Sequence, residues 1–259
     1  MQFTKYQATG NDFILMDNLS GKIKLTTTEI QKLCDRKFGI GADGLILIEK
    51  SEQANFYVNY YNSDGSQSLC GNGSRAAVHF AAKLGLVKQQ TVFDAYDGLH
   101  EAVLLNDDVV DLQMRDVNHI VKRDSGWFIH TGSPHVIEWV NRAEDVDVYT
   151  KGKNMRFADE FAPAGTNVNF VEKQHNNTLF VRTYERGVEN ETLSCGTGVT
   201  ASGLAAALEG YTSPVQIETK GGDLSVSFEK ETNETNQTIF KNVHLIGPAK
   251  VVFSGEIYS

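Results

Sequence analysis

Cys70-Gly71-Asn72-Gly73-Ser74-Arg75-Ala76-Ala77 lies over Cys195-Gly196-Thr197-Gly198-Val199-Thr200-Ala201-Ser202 when the chain is set against itself at an offset of 125. The match runs on, with Ala81-Ala82 over Ala206-Ala207 and Gly85 over Gly210. Two further segments align in the same order. Thr9 to Ile14 lies over Thr131 to Val136 at an offset of 122, and Leu45 to Glu49 over Val168 to Glu172 at 123. Three ordered matches at a nearly constant offset mean that the chain is two copies of one fold of about 120 residues. The join is expected near Arg115 to Lys122, giving halves 1–117 and 118–249, with a final strand over 250–259 packing back on the first half.

Outward from the repeat, short stretches with period-two alternation or brief apolar runs read as strands. In the first half these are Gln2 to Gln7, Phe13 to Asp17, Gly44 to Glu49, Asn55 to Asn62, Thr91 to Ala95, Val103 to Leu105 and Val109 to Met114. In the second they are Val215 to Thr219, Leu224 to Phe228, Thr238 to Ile246 and Ala249 to Phe253, with Glu229 to Gln237 as an exposed tip. Helices are few. Thr27 to Phe38 is amphipathic, with Thr26 or Thr27 as N-cap and Cys34 as a buried apolar position. Gly73 to Leu84 and Gly198 to Leu208 follow the Cys-Gly motifs and are alanine-rich with no polar face, which marks them as buried. The fold class expected is α+β: two pseudo-symmetric halves, each a curved, mostly antiparallel, barrel-like sheet around a central helix.

Composition bounds the function. A net charge of −9 disfavours nucleic acid as a partner, because phosphate binding wants a basic face. No apolar run is long enough to span a bilayer, and Met1 to Thr9 has no signal-peptide pattern, so no membrane partner and a cytoplasmic location are expected. Three cysteines without a CxxC argue against a disulfide framework and against a structural zinc site.

Cys-Gly-x-Gly at the front of a buried helix is a chemical statement. A helix N-terminus offers unpaired N–H groups and partial positive charge, which bind anions and lower the pKa of a cysteine placed there. With two such starts facing each other, the amides of Gly71, Asn72, Gly196 and Thr197 would receive a carboxylate. The two sulfurs would then flank its α-carbon. One thiolate removes the α-proton and the opposite thiol delivers one to the other face, which is acid–base catalysis by two groups of one type. No lysine motif for a pyridoxal Schiff base is evident, and no cofactor is needed.

The motifs Ala8-Thr9-Gly10-Asn11-Asp12-Phe13, Gly39-Ile40-Gly41-Ala42-Asp43-Gly44, Asn62-Ser63-Asp64-Gly65, Pro134-His135, Tyr184-Glu185-Arg186-Gly187 and the two Cys-Gly-x-Gly sites resemble the diaminopimelate epimerase family over essentially the whole chain. The resemblance implies a pyridoxal-independent enzyme that interconverts LL- and meso-2,6-diaminopimelate, a small amino-acid substrate, for lysine and peptidoglycan precursors. It implies Cys70 and Cys195 as acid and base. His135 and Glu185 would flank the reacting centre, holding its ammonium or tuning the thiols, and Asn11 would contact the substrate. Asn62, Asn167 and Arg186 would hold the distal end, where a guanidinium fork suits a second carboxylate. Departures are Ser133 where the family usually has Asn, Gly44 where many members have Gln, and a Val188 to Ser194 loop one residue longer. Phe253 stands where some members carry a tyrosine at a dimer contact, so a homodimer is expected. The nearest rival is a proline or hydroxyproline racemase-type enzyme, which should lack the distal clamp.

Overall fold

The structure is a computed structural model and describes residues 1–68 and 70–258; Ser259, the last residue of the expected C-terminal strand, lies outside the described residues. The chain separates into two compact units, Met1–Leu112 together with the segment from Gly247, and Gln113–Ile246.

The first unit contains β1 (Gln2–Ala8), β2 (Asn11–Asp17), α1 (Thr27–Cys34), β3 (Gly44–Glu49), β4 (Tyr57–Asn62), α2 (Gly71–Lys83), β5 (Gln90–Ala95), β6 (Gly98–Leu104) and β7 (Val109–Gln113). The second contains β8 (Ile120–Arg123), β9 (Gly126–His130), β10 (Pro134–Val140), α3 (Val148–Arg156), β11 (Asn167–Lys173), β12 (Thr178–Glu185), β13 (Asn190–Thr192), α4 (Gly196–Leu208), β14 (Val215–Thr219), β15 (Gly222–Thr232) and β16 (Thr238–Pro248). β17 (Lys250–Glu256) follows and pairs with β1 of the first unit.

The two sheets share one topology. In the first unit the order is β17-β1-β2-β3-β4-β5-β6-β7, with β2–β3 and β4–β5 parallel and the other neighbours antiparallel. In the second it is β8-β9-β10-β11-β12-β14-β15-β16, with β10–β11 and β12–β14 parallel and the rest antiparallel. Even the registers correspond. Phe13 faces Gly44 as His135 faces Asn167, and Leu45 faces Tyr61 as Val168 faces Tyr184. The repeat seen in the sequence is therefore a repeat of strand order, direction and register.

Each sheet curls around its helix. α4 packs against β9, β10, β11, β12, β14 and β15, and α2 against β1, β2, β3, β4 and β6. Every residue of α4 from Gly198 to Ala207 is buried. Its two interior hydroxyls bond to their own helix, Thr200 Oγ1 to Gly196 O at 2.9 Å and Ser202 Oγ to Gly198 O at 2.8 Å, so no polar group is stranded. Val199 and Leu204 join Val181, Ile217, Leu224 and Val226 in one apolar cluster. α2 departs from the expectation of a helix with no polar side: Arg75 and His79 are both buried on it.

Other differences are local. α1 stops at Cys34 instead of Phe38, because the Asp35 carboxylate takes the amides of Lys37 and Phe38 at 2.7 Å each. Its N-terminus carries a capping box between Thr26 and Glu29. The ladder of β15 and β16 continues to Thr232↔Thr238, so the exposed tip is shorter than expected and is held by Asn233. α3 was not foreseen. Gly152 stands at its centre because a Cβ there would run into Tyr184.

Candidate active site

Each cysteine of the motif is the N-cap of its helix, in nearly identical backbone: Cys70 at φ −129°, ψ 115° and Cys195 at φ −127°, ψ 112°. Both helices are 13 residues long. Gly71 and Asn72, and Gly196 and Thr197, are the first two helical residues after the caps, so their amides have no acceptor within the helix. The two surroundings then diverge.

In the first unit, Cys70 is half-buried and its Sγ accepts from the Gly73 amide at 3.4 Å. Asn72 is buried, and its Nδ2 donates to Asn11 Oδ1 at 2.6 Å. Asn11 Nδ2 donates in turn to Asp43 Oδ2 at 2.8 Å. Thr9 and Gly10 form the two-residue turn between β1 and β2, both with positive φ (46° and 90°). A β-branched residue is strained there, and Thr9 Oγ1 is gripped by Arg75 Nη2 at 3.2 Å. Asp12, beside Asn11, bridges Lys5 and Arg36 at 2.8 and 2.7 Å. Burial alone would raise its pKa; hydrogen bonds from Arg36 and Lys5 outweigh it and hold the carboxyl at about 2.

Asn62, at the end of β4, spends its amide locally. Nδ2 reaches Ser66 Oγ at 3.0 Å and Ser68 Oγ at 3.1 Å, while Oδ1 accepts from Tyr60 at 3.1 Å. The departure at Gly44 has a steric cause: a Cβ there would lie 2.5 Å from the Tyr60 ring, so Tyr60 occupies the space a glutamine would need.

In the second unit, Cys195 is buried and its Sγ lies 3.6 Å from Thr197 Oγ1. Behind it runs a row across three strands. His135 Nε2 is 2.9 Å from Thr197 Oγ1, Asn169 Nδ2 is 3.1 Å from His135 Nδ1, and Thr183 Oγ1 donates to Asn169 Oδ1 at 2.9 Å. The Asn169 amide nitrogen also meets Val136 O at 3.0 Å, and a carbonyl can only accept. That fixes the amide, so His135 Nδ1 accepts and its proton sits on Nε2. Thr197 Oγ1 receives that proton as a hydrogen bond, leaving its own hydrogen for Cys195 Sγ. Such a donor favours the ionised sulfur. His135 is fully buried; burial, with the charges of His130 and Arg186 adding to it, pushes its pKa down to about 3. It is a neutral imidazole at physiological pH. Gly198 lets Asn169 approach, because a Cβ would collide with Asn169 Oδ1.

Arg186, Asn167 and Ser133 form a second cluster in this unit. The Arg186 amide donates to Asn167 Oδ1 at 2.8 Å. Asn167 Nδ2 donates to Ser133 Oγ at 2.9 Å, and Arg186 Nη2 approaches the same oxygen at 3.4 Å. Ser133 is thus the hub of the cluster. Glu185 precedes Arg186 at the half-exposed end of β12 and accepts from Thr192 Oγ1 at 2.9 Å. Thus Asn11 and Asn72 meet in the first unit, and His135 joins Thr197 and Cys195 in the second.

Residues not singled out in the sequence include Arg75, Asp43, Asn169 and Thr183. Asn169 had a signal: with Asn167 it places two amides, two apart, in the run Asn167 to Val171, whose other residues are apolar and which is buried on both faces. Among the described residues no group of three or more His, Cys, Asp and Glu side chains could hold a metal ion.

Comparison with known proteins bears on the fold and on the family. Solved structures of similar fold include a phenazine biosynthesis protein of the PhzF family from Bacillus anthracis, with a TM-score of 0.75, 15% identity and coverage of 100% of this chain and 99% of that one. A hydroxyproline epimerase from Agrobacterium vitis aligns with a TM-score of 0.67 and 14% identity over 98% of this chain and 91% of that one. At such identities the likeness is one of fold. Sequence relatives are much nearer. A diaminopimelate epimerase from Flavobacterium psychrophilum is 47% identical over 99% of this chain and all of its own length. One from Chlorobaculum tepidum is 41% identical over 96% of this chain and 98% of its own. The family's own sequence pattern, described as diaminopimelate epimerase, matches residues 3–120 and 127–250 and so takes in both cysteine caps and both clusters. The chain belongs to the diaminopimelate epimerase family.

Proposed function

We propose that this protein epimerises 2,6-diaminopimelate between its LL and meso forms, without pyridoxal phosphate, using Cys70 and Cys195. The observation that carries the reading is the pair of cysteine N-caps with matching backbone, each with a donor on its sulfur: a helix amide for Cys70 and the Thr197 hydroxyl for Cys195. A thiolate takes the α-proton, and the second thiol gives its proton to the opposite face. The pair ends with its protonation exchanged, so no net oxidant, reductant or added proton is needed. The amides of Gly71, Asn72, Gly196 and Thr197 would stabilise the carboxylate as negative charge grows on it. Asn11 would bind beside them. His135 acts on Cys195 through Thr197, and Glu185 takes the substrate ammonium.

Arg186, with Asn167 and Ser133, supplies the grip for a second carboxylate, and Asn62 is the further residue that the family resemblance assigns to that end of the substrate. A distal clamp is what separates this reading from a proline or hydroxyproline racemase, whose substrate has no second carboxylate. The protein would work in the cytoplasm; no helix among the described residues is long and apolar enough to cross a membrane. It would dimerise through β17, which exposes Val251, Val252 and Phe253. A monomer in sedimentation at micromolar concentration would sink that contact.

The deciding experiment incubates the reduced enzyme with LL-diaminopimelate in D2O, beside Cys70→Ala and Cys195→Ala. Deuterium at one α-position together with meso product, and no inversion in either variant, is the expected result. Exchange with proline or hydroxyproline instead would move the protein to the racemase class.

A further inference from the structure

Arg75 is the largest fully buried side chain among the described residues, with 0% of its surface exposed. Its Nη2 donates to Asn72 Oδ1 at 2.9 Å and to Thr9 Oγ1 at 3.2 Å. Its Nε and Nη1 have no hydrogen-bond partner among the described residues. No carboxylate among them forms an ion pair with it either: Asp12 is held by Lys5 and Arg36, and Asp43 by Arg36 and Asn11. A guanidinium stripped of water with no counter-charge is among the costliest groups a fold can carry. Arginine does not escape by giving up its proton, since it stays cationic at neutral pH. Burial pushes its pKa down to about 10, and the one charge acting the other way is that of Cys70.

The fold itself does not require a cation here. The matching position on α4 is Thr200, whose hydroxyl simply bonds to Gly196 O. The same helix, in the same kind of sheet, is built in the second unit without any buried charge. The contacts described around the two caps differ. Cys195 has the neutral Thr197–His135 row, whereas α2 places Arg75 one turn inside the Cys70 cap.

We infer that Arg75 is the buried counter-charge of the Cys70 thiolate. It acts as a positioning residue that keeps this sulfur ionised and aligned at the helix start, a role that rests on the two-cysteine reading above. Other titratable groups on the elements packed against α2 are engaged elsewhere. Tyr6 of β1 bonds His79 at 3.0 Å, Lys5 and Asp12 pair with each other, and Glu49 of β3 accepts from Asn18 at 2.6 Å. Tyr60 of β4 donates to Asn62, His100 of β6 pairs with Asp97, and Asp17 and Glu101 point to solvent. On α2 itself Lys83 lies at the far end.

The test reads thiol ionisation, independently of turnover. Wild type, Arg75→Gln and Arg75→Lys are pulse-alkylated with iodoacetamide from about pH 5 to about pH 10, and Cys34, Cys70 and Cys195 are followed as separate peptides. In wild type, Cys70 should titrate below the ordinary thiol value of about 8.5. Arg75→Gln should slow Cys70 alkylation at neutral pH about tenfold or more, with Cys195 unchanged, and Arg75→Lys should restore most of the rate. A wild-type Cys70 profile at or above the ordinary value overturns the inference without any variant. So does a folded Arg75→Gln protein whose Cys70 profile matches wild type. If Arg75→Gln does not fold, Arg75→Lys decides: loss of the low-pH profile despite the retained charge is the contrary result. Failure of wild type to turn over diaminopimelate would remove the reaction but leave this measurement standing.

Discussion

Asn169 sets the proton on His135. Its amide nitrogen is shared between His135 Nδ1 at 3.1 Å and Val136 O at 3.0 Å, so the imidazole hydrogen faces Thr197 and the neutral ring is the one stabilised. Asn169→Leu strands His135 Nδ1 and the Thr183 hydroxyl in the core. It should cost about 2–4 kcal/mol in urea unfolding and lower the inversion rate through Cys195. Unchanged stability would mean that the row is not rigid.

The same ring predicts an acid sensitivity. His135 has a folded pKa near 3 against an ordinary value of 6.5, so the unfolded chain binds the proton more tightly. Stability should therefore fall as pH drops from about 6.5 towards 3. His135→Gln should flatten that part of the curve in urea midpoints measured at stepped pH, even though it lowers stability at neutral pH.

Asp12 titrates in a separate window. Its folded pKa of about 2 lies below the ordinary 3.8, so it stabilises above the ordinary value, and that contribution is lost as pH falls through about 2. The amount is about 2 kcal/mol. Asp12→Asn should remove this step, and it should also weaken the protein at neutral pH by leaving buried Lys5 without its carboxylate.

Gly198→Ala would push a methyl group into Asn169 Oδ1 and the His135 ring. We expect a loss of about 1–3 kcal/mol and a larger fractional drop in kcat than in substrate affinity, because Cys195 and its hydroxyl donor shift together. Gly210→Ala, whose added carbon meets nothing within 4 Å but which sits at φ 98°, is the control for backbone strain alone.

Cys34 should be the slowest thiol. Burial in the α1 core pushes it up to about 11, outweighing the opposing charge of Lys5. At neutral pH iodoacetamide should label Cys70 and Cys195 first, and Cys34→Ala should leave the reaction rate untouched.

The duplicated Cys-Gly-x-Gly made the two halves, their central helices and the cysteines that cap them readable in the sequence, because a rare residue in a fixed spacing survives as a pattern. The strands that alternate or run apolar were readable for the same reason: β3 and β14 have the ends expected of them. What stayed hidden depends on contacts between distant segments. Arg75 looks like one polar residue in an alanine-rich helix, and only burial against Thr9 and Asn72 shows that it is enclosed. α3 was hidden because Val148, Thr150 and Gly152 are weak helix formers, and packing on Tyr184 overrides them. The row behind Cys195 was half-visible: His135 stood out, but Asn169 and Thr183 gain meaning only from the register that lines them up across β11 and β12.

β17 stands in the first sheet where β8 stands in the second, paired antiparallel to the strand that leads each repeat. One half therefore borrows its outermost strand from a segment that follows the whole of the other half, with Gln2 opposite Glu256. During synthesis the later-made half has all its strands once Pro248 has left the ribosome, while the earlier-made half must wait for β17, made after the whole of the other repeat, to complete its sheet. The part translated first is the part finished last, and Cys70 sits in it. A truncated or stalled chain would then hold one finished repeat and one with an open edge at β1, a natural point of recognition for quality control.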